Sequence, residues 1–177
     1  MTKKISSDSS SDFIRASDLV EMSRQREIDK ICSLAIKYIG ISTKSSGKIR
    51  EYLNKQEIEE HLIDLTLSDL ERRGYLDDSA IAARIARQRT GRRAVSQKAM
   101  RYYMQAAGLP VCVIDNECEK LPSDYDTAKQ ALSGKFPVAD TSEKARMIRF
   151  LGSRGYSAGI AARTVDDYLD SLHENNE

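Results

Sequence analysis

The sequence predicts an all-α fold: three tandem three-helix repeats, behind an N-terminal arm that is disordered or marginally helical. Three observations predict it. Breakers are scarce, with three Pro and nine Gly in 177 residues, and charged side chains make up 31% of the chain, a composition that favours helix over a β-sandwich or barrel. From Ile31 onward the apolar residues recur at helical spacing. Finally, three segments can be laid over one another at offsets of 51 and 47 residues, a period that marks stacked helical units.

The repeat is carried by Lys48-Ile49-Arg50-Glu51-Tyr52-Leu53, Ala99-Met100-Arg101-Tyr102-Tyr103-Met104 and Arg146-Met147-Ile148-Arg149-Phe150-Leu151. An aromatic residue followed by an aliphatic one recurs in register as Tyr52-Leu53, Tyr103-Met104 and Phe150-Leu151. Each pair is followed by an apolar residue at the same spacing: Ile58, Leu109 and Tyr156. Continuing the offsets aligns Leu62 with Val113 and Ile160, and Leu70 with Leu121 and Tyr168. A unit of this length has room for three helices of about 10–14 residues joined by short turns.

In chain order, residues 1–30 form the arm. Its Ser-rich beginning, to about residue 12, has nothing to bury, and Phe13 to Lys30 form a marginal helix at most. Repeat 1 spans 31–77, with helices near 31–41, 45–56 and 57–73. Repeat 2 spans 78–124, with helices near 78–89, 95–107 and 110–121. Repeat 3 and the C-terminal tail span 125–177, with helices near 125–134, 141–154 and 157–172. Ser45-Ser46-Gly47, Thr90-Gly91 and Asp140-Thr141-Ser142 supply starts and stops. Gly74, Gly108 and Gly155 suit the left-handed position after a helix, and Asp77-Asp78-Ser79 caps the helix that opens repeat 2.

The net charge of +1 hides an uneven distribution: residues 79–114 carry seven basic side chains and no acidic one. They are Arg84, Arg87, Arg89, Arg92, Arg93, Lys98 and Arg101. A solvated face normally mixes its signs, and arginine's planar fork suits phosphates and carboxylates. The block therefore points to a polyanionic partner, protein or nucleic acid. Beside it, Tyr103 aligns with Tyr52 and Phe150 and is expected in the core with Val95 and Ala99. Tyr102 is the freer ring, for which packing at the core boundary is the first reading and stacking on a base of single-stranded DNA the second.

Other chemistry is sparse. The three cysteines, Cys32, Cys112 and Cys118, form no CxxC and sit among apolar neighbours, as reduced core residues do. His61 and His173 have no metal-ligand spacing. The carboxylate pairs Asp77-Asp78 and Asp166-Asp167 read as helix caps and solvated faces. No catalytic set, metal site or cofactor is expected. No apolar run approaches the roughly 18 residues of a membrane span, and the opening residues lack the apolar stretch of a signal peptide, so a cytoplasmic protein is expected. A helix-turn-helix DNA-binding regulator is the alternative, with Arg92, Arg93, Ser96 and Gln97 as reading residues at one helix N-terminus.

The string Gly74-Tyr75-Leu76-Asp77-Asp78, followed by Ala82-Ala83-Arg84, resembles the G-Y-L-D-D-x-x-F-A signature of RecX, the bacterial regulator of RecA recombinase. Arg154-Gly155-Tyr156-Ser157 resembles the R-G-F/Y-S element of that family's third repeat, and Ala35-Ile36-Lys37-Tyr38-Ile39 its first helix. The resemblance covers about residues 31–172. The chain departs from the pattern at Gln56-Glu57-Ile58, where the family has Lys-Gly-Phe. It also departs at Ile81-Ala82, where the family has Phe before Ala, and at the thinned basic cluster Thr43-Lys44.

The resemblance implies that the three repeats form an elongated, curved array, and that the protein is a modulator without chemistry of its own. Such a protein binds the RecA–single-stranded-DNA filament along its groove and inhibits ATP hydrolysis, strand exchange and coprotease action, linking it to recombination, DNA repair and the SOS response. The candidate contacts to filament or DNA are Arg84, Arg87, Arg89, Arg92, Arg93, Lys98, Arg101 and Tyr102. The RecA filament is the expected partner, single-stranded DNA is a candidate second partner through the basic block, no membrane is involved, and a monomer is expected.

Overall fold

A computed structural model describes residues 16–40 and 42–174. Among these residues the regular structure is helical throughout: α1 (Ala16–Ile39), α2 (Ser46–Asn54), α3 (Glu60–Arg72), α4 (Asp78–Arg87), α5 (Gln97–Ala106), α6 (Val111–Cys118), α7 (Asp124–Lys135), α8 (Lys144–Gly152) and α9 (Ala158–Glu174). Short 3-10 turns at Gly91–Arg93 and Thr141–Glu143 precede α5 and α8. The helices expected at 13–30 and 31–41 are one helix, because α1 runs without interruption from Ala16 through Ile31. The serine-rich start of the arm lies outside the described residues.

The helices pack as three triplets, each around its own core. Cys32, Ala35, Ile49, Leu53, Ile63 and Leu70 fill the first. Ile81, Ala82, Met100, Met104, Ile114 and Cys118 fill the second. Ala128, Leu132, Met147, Leu151, Ala161 and Val165 fill the third. The aliphatic member of each aligned pair is at the centre, since Leu53, Met104 and Leu151 are all 0% exposed. Ile49, Met100 and Met147, four residues earlier on the same helix face, are buried beside them. These cores are consistent with a threefold repeat.

The joints between triplets repeat as well. Ser45 caps α2 by accepting from the Lys48 N–H, and its hydroxyl donates to the Ala107 carbonyl at 2.6 Å. The next residues continue the joint: Gly47 N donates to Gly108 O at 3.1 Å, and the Ser46 N–H donates to Asp78 Oδ1 at 3.0 Å. One unit later, Ser96 caps α5, its N–H donates to Arg154 O at 3.2 Å, and the Gln97 N–H donates to Asp124 Oδ1 at 2.7 Å. In both joints an aspartate opening the following triplet's first helix accepts from an N-terminal amide of the preceding triplet's second helix. Those amides have no partner within their own helix, and the helix N-terminus favours negative charge.

The same joints explain two glycines. Gly108 (φ 77°) and Gly155 (φ 87°) end α5 and α8 in the left-handed region. A Cβ on Gly108 would lie 2.9 Å from Ser45 Oγ, and one on Gly155 would lie 2.8 Å from Ser96 Oγ. The corresponding position in the first triplet is Glu57, the one positive-φ non-glycine residue among those described (φ 57°). Among the described residues no triplet precedes α2, so no close approach demands a glycine there and a side chain fits. The departure from Lys-Gly-Phe thus falls where its steric cost is lowest.

Several expectations change. Asp77 does cap α4, accepting from Ala80 N at 2.7 Å, but Asp78 spans the joint instead. Asp166 is paired with Lys144 at 2.6 Å, and Asp167 accepts from Tyr125 Oη at 2.9 Å, so neither is a merely solvated carboxylate. Cys32 and Cys118 are buried whereas Cys112 is exposed, because Cys112 lies on the face of α6 opposite Ile114 and Cys118. Burial and then the Asp69 carboxylate push the Cys32 thiol up to about 11, so it stays protonated at neutral pH.

Two predictions follow from these contacts. Glu57→Gly relieves a left-handed side chain and is expected to raise stability by about 1 kcal/mol, whereas Gly108→Ala and Gly155→Ala are expected each to lower it by at least about 1–2 kcal/mol; urea unfolding reads both signs. Asp69 sits under Arg72 and Arg73, with its carboxylate 2.7 Å from Arg73 Nε. The Arg72 hydrogen bond in particular holds its pKa below the usual aspartate value. A depressed folded-state pKa contributes stability that is present above the unfolded value and lost as pH falls through the folded one. Melting temperature is therefore expected to drop on acidification below about pH 4, and Asp69→Asn is expected to flatten that part of the profile.

Candidate functional site

The middle triplet's basic block starts on α4, crosses the Gly91–Arg93 turn and ends on α5. The turn is anchored on the third triplet. Ala94 is part of that triplet's core, and the Arg92 backbone lies against Gly134 of α7, where a Cβ would meet it at 2.9 Å. Ser96 and Gln97 then fix the start of α5 at the joint. The loop from α4 to α5 is therefore held at both ends, and its cations project from a supported backbone.

The structure brings some of the expected residues together and separates others. Lys98 and Tyr102 line a cleft of about 590 Å³ between α5 and the end of α8, with Tyr103, Phe150 and Arg154. Arg89 and Arg93 line an adjoining cleft of about 370 Å³ that shares Val95, Tyr103 and Arg154 with the first. No acidic side chain lines either cleft. Arg84 and Arg87 are exposed on α4, and Arg92 rides on the turn over α7; none of the three lines a cleft. Arg101 points the other way and pairs with Asp115 of α6, a hydrogen bond that raises its pKa. Among the described residues Arg101 is the one member of the block that has an acidic partner.

Two of the three arginines that line the clefts are held by rings. The Arg89 guanidinium lies 3.9 Å from the Tyr103 ring centre and donates to Ile85 O at 3.2 Å. The Arg154 guanidinium lies 4.6 Å from the Phe150 ring centre and donates to Ala94 O at 3.4 Å. A guanidinium stacked on a ring is oriented while most of its five donors stay available. Tyr103 departs from its expected core position and is 39% exposed. The buried face of α5 is defined by Met100 and Met104, and Gly155 presses on Ala99, so the Tyr103 ring is left at the cleft wall. Tyr102 is 68% exposed, with its ring edge-on to Tyr103 at 6.1 Å.

Arg154 is the cleft residue that sequence reasoning missed. It stands in the Arg154-Gly155-Tyr156-Ser157 element, which read as a helix end and not as part of the site. The helix-turn-helix alternative loses two of its four reading residues: Ser96 is fully buried, the Gln97 backbone amide is bound to Asp124, and the Gln97 side chain donates to Pro122 O. No group of His, Cys, Asp or Glu among the described residues is arranged to hold a metal ion. Likewise, no helix among them is long and apolar enough to cross a membrane.

No family model matches the chain. Curated relatives do. The chain is 27% identical over 148 residues to the regulatory protein RecX of Chlorobium phaeobacteroides, covering 80% of this chain and 95% of that one. It is 27% identical to the regulatory protein RecX of Leptothrix cholodnii, covering 80% and 90%. It is 22% identical to that of Streptomyces coelicolor, covering 85% and 83%. In fold it is similar to the crystal structure of RecX from Lactobacillus salivarius, with a TM-score of 0.61 at 16% identity over 82% of this chain and 98% of that one.

The uncompensated cations separate function from stability. Lys98→Gln removes a charge that shares its cleft with Arg154 and no acid and is expected to leave the melting temperature unchanged or raise it. Arg101→Gln removes an ion pair and is expected to lower it slightly. A larger loss from Lys98→Gln than from Arg101→Gln contradicts this view of the cleft.

Proposed function

Taking the chain as a member of the RecX family, we propose that it regulates a RecA recombinase by binding the RecA–single-stranded-DNA filament and inhibiting its ATP hydrolysis, strand exchange and coprotease action. The observation that carries the reading is the middle triplet's basic block. Arg84, Arg87, Arg92, Arg93 and Lys98 have no acidic partner among the described residues, and a single-sign surface of this kind raises the encounter rate with a polyanion. A filament coated on single-stranded DNA offers phosphates and protein carboxylates to such a surface. The regulator needs no chemistry in this reading: it acts by occupying the filament as a monomer, with three linked triplets to spread its contacts.

The decisive experiment measures ATP hydrolysis by the cognate RecA on single-stranded DNA, with and without the full chain. Hydrolysis is expected to fall as the protein is added, and Arg84→Glu, Arg87→Glu and Arg93→Glu together are expected to abolish that inhibition while circular dichroism keeps its helical signal. Unchanged hydrolysis with a saturating amount of the wild-type chain contradicts the reading. If the block meets DNA phosphates, the logarithm of affinity is expected to fall with the logarithm of salt at a slope of roughly −0.7 per phosphate; a flat response assigns the contacts to RecA side chains.

A further inference from the structure

The paired clefts between α5 and α8 combine three features that neither solubility nor folding requires. First, four cations from two separately cored triplets converge there: Arg89, Arg93 and Lys98 from the middle one and Arg154 from the third. Among the described residues none of the four has an acidic partner, so an anion entering the clefts meets unopposed positive charge. Second, Arg89 and Arg154 are oriented on the Tyr103 and Phe150 rings, each with a single hydrogen bond to a backbone carbonyl. The remaining donors of Arg89 and the terminal amino groups of Arg154, whose Nε is buried without a partner, are left for a ligand. Third, an aromatic ring that is 68% exposed lines the first cleft: Tyr102 meets the Tyr103 ring in a T-shaped pair at 6.1 Å and keeps most of its surface in solvent.

We propose that these clefts form a nucleotide-binding site, in which a base stacks on Tyr102 while phosphates sit between Lys98 and Arg154 and between Arg93 and Arg154. Cations with no acids specify an anion, and the open ring adds a preference for an anion carrying a flat base. The two clefts share Arg154, so successive phosphates of a strand reach the same guanidinium from either side. Because the walls belong to two triplets, an occupied site also ties the second triplet to the third across their joint. The site deepens the proposed function by naming what part of the basic block holds, and it rests on that reading only for the source of the strand.

The test uses the full chain without RecA. Fluorescence anisotropy compares a labelled oligothymidylate with an abasic oligomer of equal length. The base-bearing strand is expected to bind about ten-fold more tightly. Tyr102→Ala is expected to erase that difference and Tyr102→Phe to keep it; the position is on the surface, and circular dichroism verifies the fold. Lys98→Gln and Arg154→Gln are expected to weaken both strands. Competition by free thymidine triphosphate assigns the site to single nucleotides, and failure to compete, with the Tyr102 dependence intact, assigns it to a strand. Equal affinity for the two oligomers, an unaffected Tyr102→Ala, or no binding of either at low salt overturns the proposal. A chain that binds oligothymidylate through Tyr102 yet leaves RecA hydrolysis untouched keeps this site and refutes the proposed function; the opposite result does the reverse.

Discussion

The joint between triplets is the constraint on which the rest of the structure depends. Three small cores are each too limited to orient one another, and the chain solves this by using the unsatisfied N-terminus of a helix as a socket. Asp78 enters the socket of α2 and Asp124 that of α5, while the capping serines lie against glycines that leave no room for a side chain. A carboxylate at a helix N-terminus satisfies amides that otherwise need water and meets the positive end of the helix dipole. Each contact is directional, so a few of them fix an angle that apolar packing alone leaves loose.

The cleft is a product of that angle. The Arg154 backbone carbonyl accepts from the Ser96 N–H at the joint and its guanidinium lines the cleft wall, so the residue that seats the third triplet also completes the cationic site. Tyr103 and Phe150 orient arginines from opposite sides of the joint. The concentration of positive charge in the middle triplet then has a structural counterpart: cations of the second triplet face one from the third, and the acids of both lie elsewhere. Asp115 draws Arg101 to the other side of α5, and Asp166 and Asp167 are occupied on α9.

Much of the fold was legible in the sequence because helical periodicity reports which residues share a face. The register Leu53, Met104, Leu151 located the three cores, and Gly108 and Gly155 located two helix ends. What stayed hidden depends on partners remote in sequence. Asp78 and Asp124 look like ordinary first-turn acids, and nothing local distinguishes one that caps its own helix from one that caps another. Tyr103 followed the repeat in sequence but not in burial, since the face that the next triplet covers decides its fate. The site was legible as a charge run and not as a shape: Lys98 and Tyr102 were recognised, Arg101 was assigned without its partner Asp115, and Arg154 was passed over because its role arises only when the third triplet folds back on α5. The continuity of α1 was missed because its first turns bury little and so leave no periodic signal.

Amide hydrogen exchange on Asp124→Ala tests the central claim most directly. If the aspartate sockets join independently cored triplets, the Ser96 and Gln97 amides are expected to lose protection selectively, while Met104 in the second core and Val165 in the third keep theirs. Loss of protection at all four positions together, or at none, contradicts the account.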